Sequence, residues 1–260
     1  MNRFTLSVAI ITYNEEDIIG KTLESVKDIA SEIVVVDSGS TDRTREIAES
    51  YGAKVYIEEW KGYAAQKNSA LEKCTQEWVL FLDADEVVSE ELRRSIIEEL
   101  KNPKAEGYLI NRRTYYLGKF LKYAWQPEWR LRLVRKEVDP IWESEPHEFL
   151  KIKSENIAKL EGDIYHYSYR SLRHQAEKGI SFAIDAAVVK YSKGKKVSAV
   201  DIVFRPFWAF FRELFFKRAF LEGYRGIIIS FMASFYTFLK YAFLFELEMK
   251  EKEGKNLWGR

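Results

Sequence analysis

Apolar and polar positions follow a repeated pattern over the first hundred residues. Near-continuous apolar runs, among them TLSVAIITY, EIVVVD and EWVLFLDADE, are each followed by a segment in which apolar residues recur at helical spacing. Such runs are typical of parallel strands that are buried on both faces of a sheet, with helices as the crossover connections. The pattern predicts a doubly wound α/β domain, in which ligands bind beyond the carboxyl ends of the strands.

The pattern changes at Gly107. Up to about Tyr169 the apolar positions alternate as in strands, for example in YLINRRTYYLG and WRLRLVRK, and we predict an antiparallel or mixed extension of the sheet. From Ser171, which suits a helix N-cap, the spacing is helical to about residue 250. The chain is therefore expected to contain an α/β domain over residues 1–170 and a helical region over residues 171–260.

Composition and charge restrict the classes of function. The 260 residues are 47% hydrophobic and 31% charged, as in globular proteins, and the net charge of +1 argues against bulk binding of nucleic acid. The charge is uneven, because residues 190–225 hold nine Lys or Arg and three Asp or Glu. The single cysteine, Cys74, rules out an intramolecular disulfide and is expected to be a buried helix residue. The first residues lack the pattern of a signal peptide, so we expect a cytoplasmic location.

Polar side chains follow each predicted strand of the first hundred residues. They would gather at one edge of the sheet: Thr12, Asn14, Glu15, Asp37, Ser38, Ser40, Asp42, Asp83 and Asp85. The two aspartates of FLDADE can converge on a hard cation such as Mg²⁺ or Mn²⁺, whose open positions a nucleoside diphosphate could fill. Taken alone, the same pair also fits the solvated end of a buried strand. Neither G-x-G-x-x-G nor a P-loop motif occurs, which argues against the usual dinucleotide and P-loop phosphate sites.

Four segments of the first hundred residues carry a family resemblance. VAIITYNEED, IVVVDSGSTDRT, GYAAQKNSAL and WVLFLDADE, in this order, resemble the successive signatures of the family 2 glycosyltransferases, which have the GT-A fold. RLRLVRK, PHEF, IYHYSYRS and FLEGYRG further resemble the branch that adds glucose or a similar sugar to the lipopolysaccharide inner core. The resemblance implies a Rossmann-like mixed sheet with flanking helices, and a nucleotide-sugar-binding and catalytic domain over residues 1–170.

The resemblance also implies roles in binding a UDP-sugar donor. The residues concerned are Thr12, Asn14, Glu15, Asp37, Ser38, Ser40, Asp42, Gln66, Lys67 and Asn68. Among these, Asp37 would read the uracil or the ribose, and Lys67 would face the nucleotide or the sugar. From the residues alone, Lys67 also fits a solvated helix lysine, and Asp42 also fits a helix cap.

The metal and the chemistry follow from the same resemblance. Asp83 and Asp85 correspond to the D-x-D motif, with Asp85 as the direct ligand of Mn²⁺ or Mg²⁺ and Asp83 nearer the ribose and sugar. The implied reaction is an inverting transfer, in which an acceptor hydroxyl attacks the anomeric carbon and the nucleoside diphosphate leaves. The attack needs a general base, and the segment ESEPHEF provides Glu148 for that role. His147 would be a third metal ligand or would orient the diphosphate; the alternative is a loop of exposed acids.

Other charged and imidazole side chains have two interpretations. Strand alternation puts Arg130 and Arg132 on one face, where they could hold a phosphorylated acceptor or the donor diphosphate. They also fit the solvated face of a strand. His166 and His174 are expected to be structural.

The C-terminal region has an unusual aromatic and basic content. Residues 204–220 contain eight Phe or Trp and four Lys or Arg, which indicates an amphipathic element at a membrane interface. The uncharged run GIIISFMASFYTFL that follows is shorter than the roughly 20 residues needed to cross a bilayer. We therefore favour monotopic or re-entrant attachment over a buried helical hairpin, an oligomer interface or a true span.

Together these features predict an inverting, metal-dependent glycosyltransferase at the inner face of the cell membrane. It would move a sugar, glucose first among the candidates, from a UDP-sugar to a lipid-linked envelope glycan such as the lipopolysaccharide inner core. A homo-oligomer is compatible with the sequence, and no nucleic acid partner is expected. Three alternatives remain: a polyprenyl-phosphate glycosyltransferase, a sugar-phosphate nucleotidyltransferase, and a non-catalytic membrane scaffold with a transferase-like domain.

Overall fold

The computed structural model describes residues 5–144 and 148–253 and divides the chain into two compact units. The first unit runs up to Thr114 and from Pro127 to Tyr167, and the second contains Tyr115–Gln126 and the chain from Ser168 onward. In chain order the strands and α-helices are β1 (Leu6–Thr12), α1 (Ile19–Val26), β2 (Glu32–Asp37), α2 (Thr44–Ser50), β3 (Lys54–Ile57), α3 (Tyr63–Lys73), β4 (Trp78–Asp83), β5 (Glu86–Val88), α4 (Glu90–Lys101), β6 (Gly107–Tyr116), β7 (Lys119–Phe120), β8 (Trp129–Arg135), β9 (Ile141–Ser144), β10 (Glu148–Lys151), β11 (Ile157–His166), α5 (Leu172–Ser192), α6 (Ala199–Phe211) and α7 (Tyr224–Lys252).

The main sheet is mixed. Its strand order is β3-β2-β1-β4-β8-β6-β11-β5, and β7 pairs with β6 outside this path. Strands β1, β2, β3 and β4 run parallel to one another. Strand β8 is antiparallel to both β4 and β6, and β11 is parallel to β6. The predicted fold class is therefore confirmed: a parallel sheet extended by mixed strands, with flanking helices and a C-terminal helical region.

Both faces of the parallel strands are buried, which explains their near-continuous apolar sequences. On one face Val8 and Ile10 of β1 pack in a core to which α1 and α4 contribute. On the other face Ala9 and Ile11 share a core with Ala70 of α3. Each fully buried aliphatic side chain of this kind contributes about 1.5–3 kcal/mol relative to exposure, so the sheet is a rigid support for the loops at its strand ends.

A buried carboxylate ties the start of β2 to the rest of the sheet. Glu32 accepts hydrogen bonds from Ser7 Oγ (3.0 Å), from the Thr75 amide (3.0 Å) and from Lys54 Nζ (3.2 Å). Burial alone would raise the pKa of Glu32, but these donors outweigh it and lower the pKa from 4.5 to about 2.

Replacing Glu32 by glutamine is expected to lower the free energy of unfolding by about 1–3 kcal/mol at pH 7. Because the pKa is depressed in the folded state, this contribution is complete above pH 4.5 and is lost as the pH falls towards about 2. Urea unfolding of both proteins across this range measures it, with the exposed Glu59→Gln as control. A difference between the proteins that stays constant down to pH 2 would contradict the assignment.

The second unit is built on helices α5, α6 and α7. Its core includes Ala187 of α5 and Tyr241 and Leu244 of α7. Helix α5 begins as predicted, because Ser171 Oγ accepts a hydrogen bond from the His174 amide at 3.1 Å.

The FLEGYRG segment has a structural explanation within this unit. The buried Glu222 accepts hydrogen bonds from the amides of Lys122 (2.6 Å) and Tyr123 (2.7 Å). A Cβ atom at Gly226 would lie 1.6 Å from the carbonyl oxygen of Ala219, so only glycine allows this close approach of the backbone.

Candidate functional site

The carboxyl ends of β1, β2 and β4 lie side by side. In the parallel register Thr12 is paired with Asp37, and Ile11 is paired with Asp83. The strand order reverses direction at β1, since β2 and β3 lie on one side of it and β4 on the other. This is the switch point at which open α/β sheets bind ligands.

Two loops at this edge are joined by hydrogen bonds. Asn14 adopts a left-handed backbone conformation (φ 53°), its amide donates to Ser40 Oγ (2.9 Å), and its Oδ1 accepts from the Thr41 amide (2.8 Å). The Glu15 amide donates to Thr44 Oγ1 at 2.7 Å. The loops after β1 and β2 therefore form one ordered surface.

Asp42 belongs to the same surface. Its Oδ1 accepts from the Thr44 amide (3.0 Å) and its Oδ2 from the Glu16 amide (3.2 Å). Although burial works in the opposite direction, the hydrogen bonds from Thr44 and Glu16 lower the pKa of Asp42. These hydrogen bonds fix the loop immediately before α2 and join it to the loop after β1.

Asp37 is fully buried and organises its own loop. Its Oδ1 accepts from the amides of Gly39 (3.0 Å) and Ser40 (2.8 Å), and its Oδ2 accepts from Ser40 Oγ. Arg45 Nε lies 3.9 Å from the same Oδ1. The carboxylate thus holds the loop in shape beside the strand end.

Lys67 links two of the predicted site carboxylates. It projects from α3, is 4% exposed, and its Nζ lies 2.9 Å from Asp83 Oδ1 and 3.5 Å from Glu148 Oε1. Burial raises the pKa of Asp83, but the charges of Lys67, Arg132 and Arg112 lower it well below its usual range. Asp83 is therefore ionised at any physiological pH, and Lys67 is not a solvated helix lysine.

Arg132 approaches Asp83 from the other side. It is 3% exposed, and its Nη2 lies 3.4 Å from Asp83 Oδ2 and 2.9 Å from Glu86 Oε1. The register between β6 and β8 shifts next to Leu131, which forms a β-bulge. Bulges change the direction of side chains and are common next to functional sites. Arg132 Nε and Nη1 have no hydrogen-bond partner among the described residues.

A chain of opposite charges continues from Arg132 along the sheet. Glu86 also contacts Arg112 at 3.5 Å. Glu128 in turn pairs with both Arg112 and Arg130, each at 2.7 Å. Glu86 Oε2 accepts a hydrogen bond from the Asp83 amide at 3.0 Å, so this carboxylate also supports the turn after β4. Arg130 is exposed and pairs with Glu128, whereas Arg132 is buried and contacts Asp83.

Trp142 is a site residue that the sequence analysis missed. Its ring lies 4.5 Å from Lys67 Nζ and 5.6 Å from the Arg132 guanidinium carbon. Asn68 fixes the backbone of Trp142 from α3 by donating to its carbonyl (2.9 Å) and accepting from its amide (2.8 Å). The indole therefore positions both cations against Asp83, and the only signal for it was its place before the ESEPHEF segment.

Asp85 is placed differently from Asp83. Its Oδ2 lies 3.5 Å from His166 Nε2, and its carbonyl oxygen accepts from the Tyr167 amide at 3.0 Å. Asp83 is held by two cations, Lys67 and Arg132, and the Asp85 carboxylate contacts an imidazole. Within residues 5–144 and 148–253, no group of three or more His, Cys, Asp or Glu side chains is gathered for a metal. A Mn²⁺ or Mg²⁺ ion that keeps open positions for a diphosphate fits Asp85 by its carboxylate chemistry.

Tyr63 is a second residue that the sequence analysis missed. It opens α3, packs edge to face with Trp60 at 4.8 Å between ring centroids, and is exposed. Partial burial and the negative charges of Glu148, Asp83 and Asp85 raise the pKa of its hydroxyl. It therefore lies close to the carboxylates, although nothing but its aromatic character marked it in the sequence.

The structure gathers most of the predicted residues at one edge of the sheet. Thr12, whose buried Oγ1 has no hydrogen-bond partner in the described part of the chain, lies beside Asp37, and the Gln66 amide nitrogen lies 3.3 Å from Ser38 Oγ. His147 lies outside the described residues. Cys74 is buried, as expected, and burial raises the pKa of its thiol to about 12.

Comparisons with known proteins identify the family of this chain. Residues 7–178 match the model of glycosyl transferase family 2. An uncharacterized glycosyltransferase of Rickettsia typhi is 32% identical over 263 residues, which cover 95% of this chain and 89% of the relative. The lipopolysaccharide core biosynthesis glycosyltransferase LpsC of Rhizobium meliloti is 32% identical over 257 residues, or 94% and 93% of the two chains. Among solved structures, S. aureus TarS 1-349 is similar with a TM-score of 0.49 and 17% identity over 98% of this chain and 93% of that chain.

The family model covers more than half of the chain, and the relatives match it almost from end to end. This chain therefore belongs to glycosyl transferase family 2 and is a glycosyltransferase.

Proposed function

We propose that this glycosyltransferase transfers a sugar, glucose first among the candidates, from a UDP-sugar to a lipid-linked envelope glycan such as the lipopolysaccharide inner core. The observation that carries the donor assignment is the pair of buried cations, Lys67 and Arg132, at the strand ends. The acceptor class is supported by the relative named for lipopolysaccharide core biosynthesis, which is similar over 94% of this chain.

Lys67 and Arg132 would bind the donor diphosphate. Both are buried, and Arg132 has two N–H groups without a partner among the described residues, so an incoming phosphate oxygen would satisfy donors that are otherwise desolvated. Their positive charge would stabilise the negative charge that develops on the leaving diphosphate. The joined loops that contain Asn14 and Ser40, held by Asp37, would receive the uridine.

Glu148 would act as the general base. In a single displacement the acceptor oxygen forms a bond to the anomeric carbon, the bond from that carbon to the diphosphate breaks, and the hydroxyl proton passes to the Glu148 carboxylate. Lys67, 3.5 Å from Glu148 Oε1, would keep this carboxylate close to the reacting centre. The exposed rings of Trp60 and Tyr63 beside the carboxylates fit the apolar face of a sugar.

A divalent cation would be held by Asp85 and by the donor diphosphate. When bound, Mn²⁺ or Mg²⁺ supplies a Lewis acid that neutralises charge on the diphosphate. The Asp85 carboxylate is the protein ligand with the appropriate hard oxygen atoms. Asp83, already held by Lys67 and Arg132, would act beside it as the group that keeps these cations in place.

The second unit would attach the protein to the membrane interface. Several aromatic side chains of α6 and the segment after it are more than half exposed, including Phe204 (65%), Phe207 (62%) and Phe216 (71%). Arg205, Arg212 and other cations lie among them in sequence. Exposed aromatic rings among cations are the chemistry of an element that lies in the headgroup region of an anionic bilayer.

We favour attachment at the surface over a true span. By length and composition one helix among the described residues, α7, could cross a membrane, and 22% of its most apolar window is buried. Lys240 lies within that helix and close to other cations, and a charged residue in the hydrocarbon costs several kcal/mol. A helix that lies in the interface avoids this cost.

A thermal-shift screen of nucleotides tests the donor assignment. UDP and UDP-sugars are expected to raise the melting temperature, and to raise it more when Mn²⁺ or Mg²⁺ is present. A ligand concentration of 100 times the Kd should increase the free energy of unfolding by about 2.7 kcal/mol. ADP, GDP and CDP under the same conditions are the controls. If no UDP ligand stabilises the protein with or without metal, the proposal fails.

A further inference from the structure

Three cations of the second unit surround one aromatic ring. Lys190 of α5, Arg205 of α6 and Lys240 of α7 lie 5.5, 5.4 and 5.1 Å from the ring centroid of Tyr241. The ring faces of aromatic residues attract cations, but each such contact is weak at a solvent-exposed site. One ring cannot balance three positive charges.

Acidic partners are scarce in this cluster. Arg205 pairs with Asp201 of its own helix, and a fourth cation, Arg212, pairs with Glu213 at 3.4 Å. Within the part of the chain that the structure describes, neither Lys190 nor Lys240 has an ion pair. The cluster is therefore left with an excess of positive charge.

Lys240 shows the electrostatic consequence. Burial and the positive charges of Lys190, Arg205 and Arg212 lower the pKa of its ammonium group. The Nζ atom of Lys240 lies 5.3 Å from the ring centroid of Tyr236 and 5.1 Å from that of Tyr241. A bound anion would remove the repulsion that these four cations exert on one another.

The same helices provide an apolar surface. On α6, Phe207, Trp208 and Phe211 are exposed, and on α7 so are Phe231 and Phe235. A ligand that combines a phosphate with acyl chains matches both features, because its charge pairs with cations and its chains meet aromatic rings. A soluble phosphate would use only the first of them.

We propose that Lys190, Arg205, Arg212 and Lys240 form a binding site for the phosphate group of an anionic membrane lipid. The site deepens the membrane attachment proposed above and rests on it. It would hold the second unit at a lipid headgroup, in addition to the non-specific attraction between the basic segment 190–225 and an anionic surface.

Vesicle co-sedimentation with the full chain tests this site. Wild-type protein is expected to bind phosphatidylcholine vesicles that contain phosphatidic acid or phosphatidylglycerol much more strongly than phosphatidylcholine alone. The double variant Lys190→Gln/Lys240→Gln should bind the anionic vesicles about 30-fold more weakly, since each headgroup-contacting cation contributes about 5-fold. The matched control Lys195→Gln/Lys196→Gln removes the same charge from exposed positions of the same unit and should lose far less.

Each other outcome overturns the proposal in an identifiable way. If both double variants lose the same amount of binding to anionic vesicles, the attraction is diffuse and there is no specific site. If wild-type protein binds neutral and anionic vesicles equally well, the negatively charged headgroup does not contribute to binding. If inorganic phosphate raises the melting temperature of wild-type protein but not of Lys190→Gln/Lys240→Gln, while vesicle binding is the same for both, the site takes a soluble anion instead of a lipid.

The experiment also separates this site from the proposed reaction. Both double variants should retain wild-type stabilisation by UDP ligands, since none of the four lysines belongs to the donor site. Loss of UDP stabilisation in every protein, with the vesicle result intact, would refute the donor assignment and leave the lipid site standing. Removing repulsion at Lys240 should not lower the melting temperature, so poor folding of the variant is not expected to obscure the result.

Discussion

Replacing Asp85 by asparagine is expected to lower the turnover of a UDP-sugar by about 10²–10³-fold, the loss typical of removing one group that stabilises developing charge. The asparagine has nearly the same shape but no negative charge for a divalent cation. The rise in melting temperature on addition of UDP and metal is measured against each protein without ligand, which separates the loss of the cation from any change in the stability of the fold. Turnover and the metal-dependent stabilisation by UDP should therefore fall together.

Two further variants make this test specific. Asp139→Asn removes an exposed carboxylate that pairs with Lys153 at 2.8 Å, and it should leave turnover unchanged. Asp83→Asn should reduce turnover and also destabilise the fold by about 3–5 kcal/mol, because it leaves the buried Lys67 and Arg132 without their shared carboxylate. Turnover by Asp85→Asn at the wild-type level would remove Asp85 from the site.

The difference between the two aspartates changes the interpretation of the D-x-D motif. In sequence the residues are equivalent carboxylates after one buried strand. In the structure Asp83 is the centre of a charge network that involves α3 and β8, whereas Asp85 turns towards His166 of β11. We therefore propose that Asp83 acts in this motif by holding Lys67 and Arg132, and that Asp85 acts by binding the cation.

The parallel sheet was predictable because strands that are buried on both faces have near-continuous apolar sequences. Val8 and Ala9 face different cores, so both must be apolar, and the run ends at Thr12, the last residue of the strand. The positions of Asp37 and Asp83 followed from the same rule, since parallel strands bring their carboxyl ends to one edge. Local pattern and global topology agree at these positions.

The contacts among the site side chains were not predictable, because they join distant parts of the chain. Asn68 and Trp142 are 74 residues apart, and no periodicity relates them. The bulge beside Leu131 depends on how β8 pairs with β6, so strand alternation alone could not separate the buried Arg132 from the exposed Arg130. Long-range pairing of charges is set by the assembled sheet and not by any single segment.

Glu148→Gln is expected to lower transfer to a sugar hydroxyl by about 10²–10⁴-fold, the usual contribution of a general base. The amide cannot take the proton that the attacking hydroxyl must lose. Stabilisation by UDP-sugars should remain, because the contact between Glu148 and Lys67 is 3.5 Å long and partly exposed, which limits its contribution to about 1 kcal/mol or less. Initial rates with a hydroxyl acceptor, combined with thermal shifts by UDP-sugars, measure the two effects separately.

The neighbouring strand provides the matched control, and the outcome identifies the acceptor. Glu143 of β9 is paired opposite Phe149 in the two-stranded sheet and contacts Lys151 at 3.4 Å, so Glu143→Gln alters a carboxylate nearby and should retain activity. If Glu148→Gln were as active as the wild type, no hydroxyl proton would need to be removed in the reaction. The nucleophile would then be an ionised phosphate oxygen, and a polyprenyl-phosphate acceptor would replace the glycan hydroxyl.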